Sequence, residues 1–164
     1  MAEFSIDASV TGEDAFSKLL AVKSPSLDDL KTLLLLEAAG QSFYVSLAEA
    51  APNDEIKHLM SKNGQEEMGH AHRLKRAIKL VHGEDFEIPS DQDNPLYKAP
   101  LAAPVVSKEL LQMIAKGEID GEAFYEGWAS HIGNEQAAKL LRQNGKEEAN
   151  HGARMTEALK LLPN

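Results

Sequence analysis

The chain contains no cysteine in its 164 residues. Without thiolates, these residues can form no disulfide bond, no iron–sulfur cluster and no cysteine-ligated zinc site. Long unbroken apolar stretches are also lacking, and the first twenty residues have neither a basic start nor an apolar run. We therefore expect no signal peptide and no membrane span, and a cytoplasmic location is the default expectation.

Basic residues are in the minority. Lysine and arginine number 17 against 26 acidic residues, which gives a formal net charge of −9. Because binding to phosphate backbones needs a basic surface, this balance argues against nucleic acid as a general partner. A chain of this length is expected to fold as one domain with a substantial core.

An internal repeat organises most of the chain. Residues 37–80 align with residues 118–161 at a constant offset and without a gap, and about 16 of the aligned positions are identical. The ungapped register indicates that helix lengths and the loop between helices are the same in both halves. The identical pairs include Glu37/Glu118, Gly40/Gly121, Tyr44/Tyr125, Asn63/Asn144, Gly64/Gly145, Glu67/Glu148, His70/His151 and Arg73/Arg154.

The first half is predicted to be a helical hairpin. Ser26 and Asp29 have the spacing of a capping box at the start of a helix that ends at Pro52. Asn53 is a good N-cap for a second helix, which runs to about Val81. The loop between the two helices is about three residues, so the helices are expected to be antiparallel neighbours.

The second half is predicted to repeat this hairpin. Ser107 can cap a helix that ends around Gly133, and Asn134 can cap a helix that runs almost to Pro163. Two hairpins joined by one long connection form the ferritin-like plan of a four-helix bundle, so the predicted fold class is all-α.

The predicted domain organisation follows from these elements. Residues 1–24 form an N-terminal extension that holds a short helix, and residues 25–164 form the bundle. Within the bundle, residues 25–82 are the first hairpin and residues 107–162 are the second. The crossover, residues 83–106, is rich in proline and aspartate.

Carboxylates and histidines interrupt the apolar face of each long predicted helix. Glu37 and Glu67 lie at nearly equal distances from Asn53 along their helices, so the two side chains are expected at the same height in the bundle. The repeat transfers this placement to the second half. Four glutamates and two histidines are therefore predicted to meet in one layer of the core: Glu37, Glu67, His70, Glu118, Glu148 and His151.

Metal binding is the chemistry that this layer predicts. Unpaired carboxylates in a dry core are too costly to serve as filler. Four glutamates carry a charge that two divalent cations neutralise, and a glutamate–histidine donor set suits iron or manganese, with zinc also allowed. One glutamate from each of two helices plus Glu-x-x-His from each of the other two is the arrangement of di-iron and di-manganese carboxylate proteins. We predict two iron ions, with manganese or a mixed iron–manganese pair as the alternative.

Glycines occur at unusual places in the predicted helices. Residues 63–64 and 144–145 are both Asn-Gly, a dipeptide that favours turns. We nevertheless predict that the helices continue through both. Together with Gly40 and Gly121, these glycines would leave room beside the metals for ligands or oxygen species. Close helix packing without a functional purpose is the alternative.

Glu66 and Glu147 precede the Glu-x-x-His glutamates in the two halves. Both are interpreted as solvated surface carboxylates. A supporting role behind the metal ligands is the alternative interpretation.

The motifs resemble those of the rubrerythrin branch of the ferritin-like superfamily. That branch has a glutamate, a tyrosine seven residues later, and then Glu-x-x-His. The second half matches with GEIDGEAFY and NGKEEANH, and the first half matches with EAAGQSFY and NGQEEMGH. The resemblance covers about residues 27–162.

The resemblance implies roles for individual residues. Glu37 and Glu118 would be the carboxylates that bridge the metals, and each Glu-x-x-His pair would chelate one metal. Tyr44 and Tyr125 are candidate catalytic residues that would hydrogen-bond across the site to a carboxylate, with plain core tyrosines as the alternative.

One position departs from the pattern of rubrerythrins. Many of them carry another glutamate three residues after the ligand on the third long helix, where it exchanges as a ligand with redox state. Here that position is Gly121, and Glu122 is the candidate extra ligand. This departure, and the lack of a rubredoxin module in these residues, weigh against the usual peroxide-reducing cycle unless a separate electron donor serves.

The resemblance implies a di-iron oxidoreductase that reacts with hydrogen peroxide or dioxygen and takes electrons from a separate donor protein. Two other functions remain open. One is a ferroxidase that stores or delivers iron, and the other is an oxygenase that acts on a small organic substrate. A homodimer is an allowed assembly for this protein.

Overall fold

Five helices dominate the computed structural model, which describes residues 4–163. No strand occurs in this range. The first three residues of the predicted extension and residue 164 of the predicted bundle lie outside the described residues. The helices are α1 (Gly12–Leu20), α2 (Leu27–Glu49), α3 (Asp54–His82), α4 (Lys108–Ala129) and α5 (Glu135–Lys160). The protein is therefore all-α, as predicted.

Side-chain caps fix where the helices begin. Ser26 and Asp29 form a reciprocal capping box at the start of α2, which is the predicted one. Asn53, Ser107 and Asn134 each accept a backbone N–H in the first turn of α3, α4 and α5 respectively. These polar side chains satisfy donors that a helix start leaves without intrahelical partners.

The helix ends differ slightly from the prediction. Helix α2 ends at Glu49, shortly before Pro52, because a proline disfavours helical geometry in the residue that precedes it. Helix α3 ends at His82, and Gly83 follows in the left-handed conformation with a φ of 70°. Helix α4 ends at Ala129, a few residues earlier than predicted, and the chain turns through residues 130–134.

The long helices pack in pairs. Helix α2 packs against α3, α4 packs against α5, and α3 packs against α5; the short helix α1 lies against α2. Both Asn-Gly dipeptides lie within unbroken helix, at residues 63–64 of α3 and 144–145 of α5. The prediction that the helices continue through them is confirmed.

Two apolar clusters fill the core. One contains Leu34, Leu74 and Trp128, and the other contains Leu47 and Ile56. On α3 and α5 the buried asparagine, glutamate and histidine lie between the segments that enter these two clusters. The polar layer is therefore closed by apolar side chains at both ends.

The segments outside the long helices are also tied to the core. The indole N–H of Trp128 donates to the carbonyl oxygen of Val22 at 3.0 Å. The side-chain amide of Asn94, which is buried, donates to the carbonyl oxygen of Leu35 at 2.8 Å. Both the N-terminal segment and the 83–106 connection are thus anchored by hydrogen bonds between a buried side chain and a backbone carbonyl group.

Candidate metal centre

The structure brings the six predicted residues together in one layer. Four helices contribute: α2 and α4 supply one glutamate each, and α3 and α5 each supply a glutamate and a histidine from adjacent turns. All are buried except Glu118, whose side chain is 15% exposed. They form two groups whose ligand atoms lie within 4.8 Å of one another: Glu37, Glu67, His70 and Glu148; and Glu67, Glu118, Glu148 and His151.

The two groups interlock through Glu67 and Glu148, which belong to both. Glu37 and Glu118 belong to one group each. The two groups therefore meet at Glu67 and Glu148, and not at Glu37 and Glu118, for which the resemblance implied the bridging role. The reason is that α3 and α5 pack against each other, which brings their carboxylates to the middle of the layer.

Each histidine faces carboxylates of both halves of the repeat. His70 Nδ1 lies 3.1 Å from Glu148 Oε1 and 3.2 Å from Glu37 Oε2. His151 Nδ1 lies 3.2 Å from Glu67 Oε1. The two imidazole rings are stacked with centroids 5.2 Å apart. Each group of four donors thus draws on both halves of the repeat.

The tyrosines cross between the halves as well. The hydroxyl group of Tyr44 donates to Glu118 Oε1, and the hydroxyl group of Tyr125 donates to Glu37 Oε1. Burial and the neighbouring carboxylates raise the pKa of both phenols well above its usual value. Both hydroxyl groups therefore stay protonated and act as donors, and these hydrogen bonds across the site are the contacts that the resemblance implied. The catalytic role of the two tyrosines stays a prediction.

Protonation is shared unevenly in the metal-free layer. Burial, together with Glu37 and Glu148, raises the pKa of Glu67 well above its usual range. Burial raises the pKa of Glu118 to about 7. Burial by itself would lower the pKa of His151, but the close contacts of its ring with the surrounding carboxylates outweigh burial and raise that pKa to about 12. Without a cation, protons on these groups must offset the crowded carboxylates.

The donor set fits divalent metal ions. The Nδ1 atom of His151 is buried and has no hydrogen bond from any of residues 4–163, although carboxylate oxygens surround it at 3.2 to 3.8 Å. A nitrogen that faces several carboxylates without a hydrogen bond is placed as a metal ligand would be. Four carboxylates with two imidazoles match the preference of iron and manganese.

Two further carboxylates contact the histidines from outside the layer. Glu66 Oε2 lies 3.1 Å from His151 Nε2, and Glu147 Oε2 lies 3.2 Å from His70 Nε2. The side chains of Glu66 and Glu147 are only 26% and 22% exposed. Their interpretation as solvated surface carboxylates is therefore wrong.

Arginines hold these outer carboxylates. Arg154 donates to both oxygens of Glu66, at 2.7 and 3.0 Å, and Arg73 donates to Glu147. Burial raises the Glu147 pKa, but the close contact with His70, the hydrogen bond from Gln143 and the charge of Arg73 outweigh burial and lower that pKa to about 2. Arg73 and Arg154 occupy equivalent positions of the repeat. Their identity was the signal in the sequence that could have revealed the role of Glu66 and Glu147.

Buried asparagines complete the polar network. Arg154 donates to Asn63 Oδ1 at 2.9 Å, and the Asn63 amide donates to the carbonyl oxygen of His151 at 3.4 Å. Asn144 makes the matching contacts with Arg73 and with the carbonyl oxygen of His70. The asparagine of each Asn-Gly dipeptide therefore links α3 to α5 instead of starting a turn.

Glu122 does not join the layer. Its side chain is exposed and borders a surface depression with Arg142 and Lys146, and neither group of donors includes it. A residue four positions after Glu118 is turned by about 40° around the helix, and here that turn carries it out of the core. The prediction of Glu122 as an extra ligand is wrong for this geometry.

The glycines divide into two kinds. A Cβ atom on Gly40 would lie 3.3 Å from the carboxylate of Glu67, and one on Gly121 would lie 3.1 Å from the side chain of Glu148. These two positions leave room for the shared ligands. A Cβ atom on Gly64 would instead meet Tyr44 Cβ at 3.1 Å, so that glycine permits close helix packing.

A pocket of about 310 Å³ reaches the layer between α2 and α4. Phe16, Leu36 and Gly40 line it and also line a second, mainly apolar cavity of about 740 Å³ beside it. We call the first the inner pocket and the second the outer cavity. Their common wall places the outer cavity directly beside the inner pocket.

None of the helices within residues 4–163 has the length and apolar character that crossing a membrane requires. Comparison with known proteins gives one family: the model of the rubrerythrin family matches residues 30–159. Neither a curated protein nor a solved structure matches the chain.

Proposed function

The chain belongs to the rubrerythrin family, and from this premise we propose that it is a di-iron carboxylate oxidoreductase that reduces hydrogen peroxide or reacts with dioxygen, with electrons from a separate donor protein. One observation carries the proposal. The two groups of four donors share Glu67 and Glu148, so two cations would lie close enough to act together on one small oxidant. We also propose the ferritin-like arrangement of two hairpins joined by the 83–106 crossover.

The residues that would hold the metals are those of the layer. Glu37 and His70 would bind one metal, and Glu118 and His151 would bind the second. Glu67 and Glu148 would bind both metals. The bound metals would supply the redox equivalents and the coordination positions for the oxidant. The protein supplies the placement of the donors and a site closed by apolar clusters at both ends.

The tyrosines hold protons at the edge of the site. Reduction of one hydrogen peroxide to two waters consumes two electrons and two protons. The hydroxyl group of Tyr44 donates its proton in a hydrogen bond to Glu118, and that of Tyr125 donates to Glu37. This contact orients the two carboxylates and keeps a proton beside each.

Access to the centre runs through the inner pocket. Its volume of about 310 Å³ accommodates peroxide or dioxygen with water, and Gly40 and Gly121 keep the space beside the shared glutamates free of side chains. Phe16 and Phe124 line the same pocket and limit the water that reaches the carboxylates.

A specific observation favours a second candidate, an oxygenase acting on a small organic substrate. The outer cavity of about 740 Å³ has the size of a small-molecule site and borders the inner pocket. Apolar side chains such as Phe43 and Leu96 line it. An apolar molecule there would have one end near Gly40 and therefore near Glu67.

The test is metal content followed by turnover. Purified protein should hold two iron or manganese ions per chain by elemental analysis. The reduced protein should consume hydrogen peroxide faster than dioxygen, with loss of reductant in a two-to-one ratio of electrons to peroxide. Protein that remains free of metal after anaerobic reconstitution would overturn the proposal. Rapid ferrous oxidation with assembly into a large shell would favour iron storage instead.

A further inference from the structure

We infer that Glu66 and Glu147 are positioning residues for the metal centre, each holding the histidine of the opposite hairpin so that its Nδ1 atom faces the carboxylate layer. This inference rests on the proposed metal centre. It concerns two residues outside the six proposed ligands, and the contacts that carry it occur twice in the molecule, once in each half of the repeat.

The helical register explains why these carboxylates point where they do. Each lies one residue before a shared glutamate, so it is turned by about 100° from the layer. On an isolated helix that direction leads to solvent. Here α3 and α5 pack against each other, and the direction leads to the neighbouring helix and its histidine.

The contact determines which ring nitrogen is free. Glu66 Oε2 accepts a hydrogen bond from Nε2 of His151 at 3.1 Å. A neutral imidazole carries one N–H, so holding it at Nε2 leaves the lone pair on Nδ1, the atom that faces Glu67. A carboxylate behind a metal-binding histidine fixes both the tautomer and the ring orientation.

Arginine makes Glu66 an effective acceptor. Arg154 forms a fork with both oxygens of Glu66 and also donates to Asn63, so the carboxylate is ionised and its position is fixed. Arg73 and Asn144 form the counterpart around Glu147. That second contact is looser, because His70 Nε2 lies 3.2 Å from Glu147 Oε2 without the alignment of a hydrogen bond.

Each of these glutamates contacts the histidine of the other half of the repeat, so a substitution can distinguish a positioning role from a general loss of stability. Glu66 is on α3 beside Glu67 and His70, but it contacts His151 on α5. Neutralising Glu66 should therefore disturb the histidine of the distant hairpin and spare the histidine four residues away on its own helix. A change that merely loosened α3 would affect His70 first.

The experiment uses the full chain loaded with zinc, which is diamagnetic and accepts the same donors. The variants are E66Q and E147Q, with E122Q as the matched control that removes one exposed carboxylate. Imidazole ¹⁵N and Nε2–H proton resonances are recorded for each, and zinc dissociation constants are measured by chelator competition.

For E66Q we expect the Nε2–H proton of His151 to lose its downfield shift while that of His70 stays in place, with zinc affinity weakened by about 10–100-fold. E147Q should show the reverse pattern with a smaller loss, and E122Q should match wild type. R154K keeps the positive charge but loses the two parallel hydrogen bonds to Glu66. It should move the Nε2–H resonance of His151 to a position between those of wild type and E66Q.

Two outcomes would contradict the inference in different ways. If wild type binds zinc but E66Q leaves both histidine signals and the affinity unchanged, or shifts His70 instead of His151, the positioning role is wrong and the metal centre stands. If wild type takes up no zinc, iron or manganese, the proposed function fails and this inference fails with it. Far-UV circular dichroism of each metal-free variant verifies that it is folded.

Discussion

The hydroxyl group of Tyr125 on α4 donates a hydrogen bond to Glu37 on α2, although the two residues belong to different halves of the repeat. Tyr44 and Glu118 form the same contact in the opposite direction. In both cases the phenol reaches a carboxylate that belongs to one donor group only. The two shared glutamates receive no tyrosine among the described residues.

Replacing Tyr125 by phenylalanine should remove a buried donor and leave Glu37 with one partner fewer. We expect the free energy of unfolding of the metal-free protein to fall by about 1.5–3 kcal/mol, the range for hydrogen bonds to charged groups. Urea denaturation followed by circular dichroism measures this. Tyr97, which lies in the connection and makes no side-chain hydrogen bond within residues 4–163, is the control, and Y97F should change stability much less. Equal losses in the two variants would contradict the assigned role of the Tyr125 hydroxyl group.

The shared glutamates should differ from the unshared ones in metal stoichiometry. Glu67→Ala removes a donor from both groups, so we expect loss of both metals, whereas Glu37→Ala should reduce the content towards one per chain. Elemental analysis after reconstitution gives the count, and helicity should survive in both variants. The metal-free protein should also melt at a lower temperature than the loaded protein. One metal retained in E67A would contradict the bridging assignment.

Adding a methyl group at Gly40 should separate helix stability from metal binding. Alanine favours helix over glycine by about 1 kcal/mol, but its Cβ atom would lie 3.3 Å from the Glu67 carboxylate. We expect G40A to bind metal more weakly while the metal-free protein becomes no less helical. Gly117 on α4 is the matched control, since a Cβ atom there meets nothing within 4 Å. If G117A weakened metal binding as much as G40A did, the contact with Glu67 would not be the cause.

Metal binding should release protons. In the metal-free protein the pKa of His151 is raised to about 12 and that of Glu118 to about 7, so at neutral pH the histidine holds a proton that a metal must displace. The apparent affinity for Mn²⁺ or Zn²⁺ should therefore rise with pH between about 6 and 8. Calorimetry in buffers of different ionisation enthalpy counts the protons. Zero net release at pH 6 would contradict these protonation states.

The same pKa shifts set the sign of the pH dependence of stability in the metal-free protein. The raised pKa of Glu118 contributes stability that is fully present below the unfolded value of 4.5 and is lost as the pH rises through about 7. The raised pKa of His151 contributes stability that is fully present below 6.5 and persists until about 12. We expect E118Q to remove the decline between pH 4.5 and 7, as measured by melting temperature across that interval.

Much of the fold and the six-residue layer follow from the sequence because the repeat fixes helix lengths and depth together. Glu37 and Glu67 share a height as soon as the loop at Asn53 is located, and the constant offset transfers this to Glu118 and Glu148. The capping residues are visible for the same reason, since their contacts are local in the chain.

The interpretations that were wrong all depended on which helices touch. Glu66 was interpreted as a surface residue because its direction points away from its own layer, and the sequence does not say that α5 lies there. Glu122 was a candidate ligand because a four-residue step keeps roughly to one helix face, but the step is about 40° too far here. The bridging role depends on distances between helices, which spacing along the chain does not determine.

The crosswise contacts also bear on the order in which the protein assembles. Each donor group takes residues from both hairpins, so a single hairpin offers only an incomplete set: Glu37, Glu67 and His70, or Glu118, Glu148 and His151. Hairpins form from contacts close in sequence, whereas their docking closes the 83–106 connection and brings distant segments together. Full metal coordination can exist only after that docking step. The appearance of visible absorption from bound iron during refolding would therefore report when the two halves dock. A chain cut within the connection would regain that absorption only when both pieces are present.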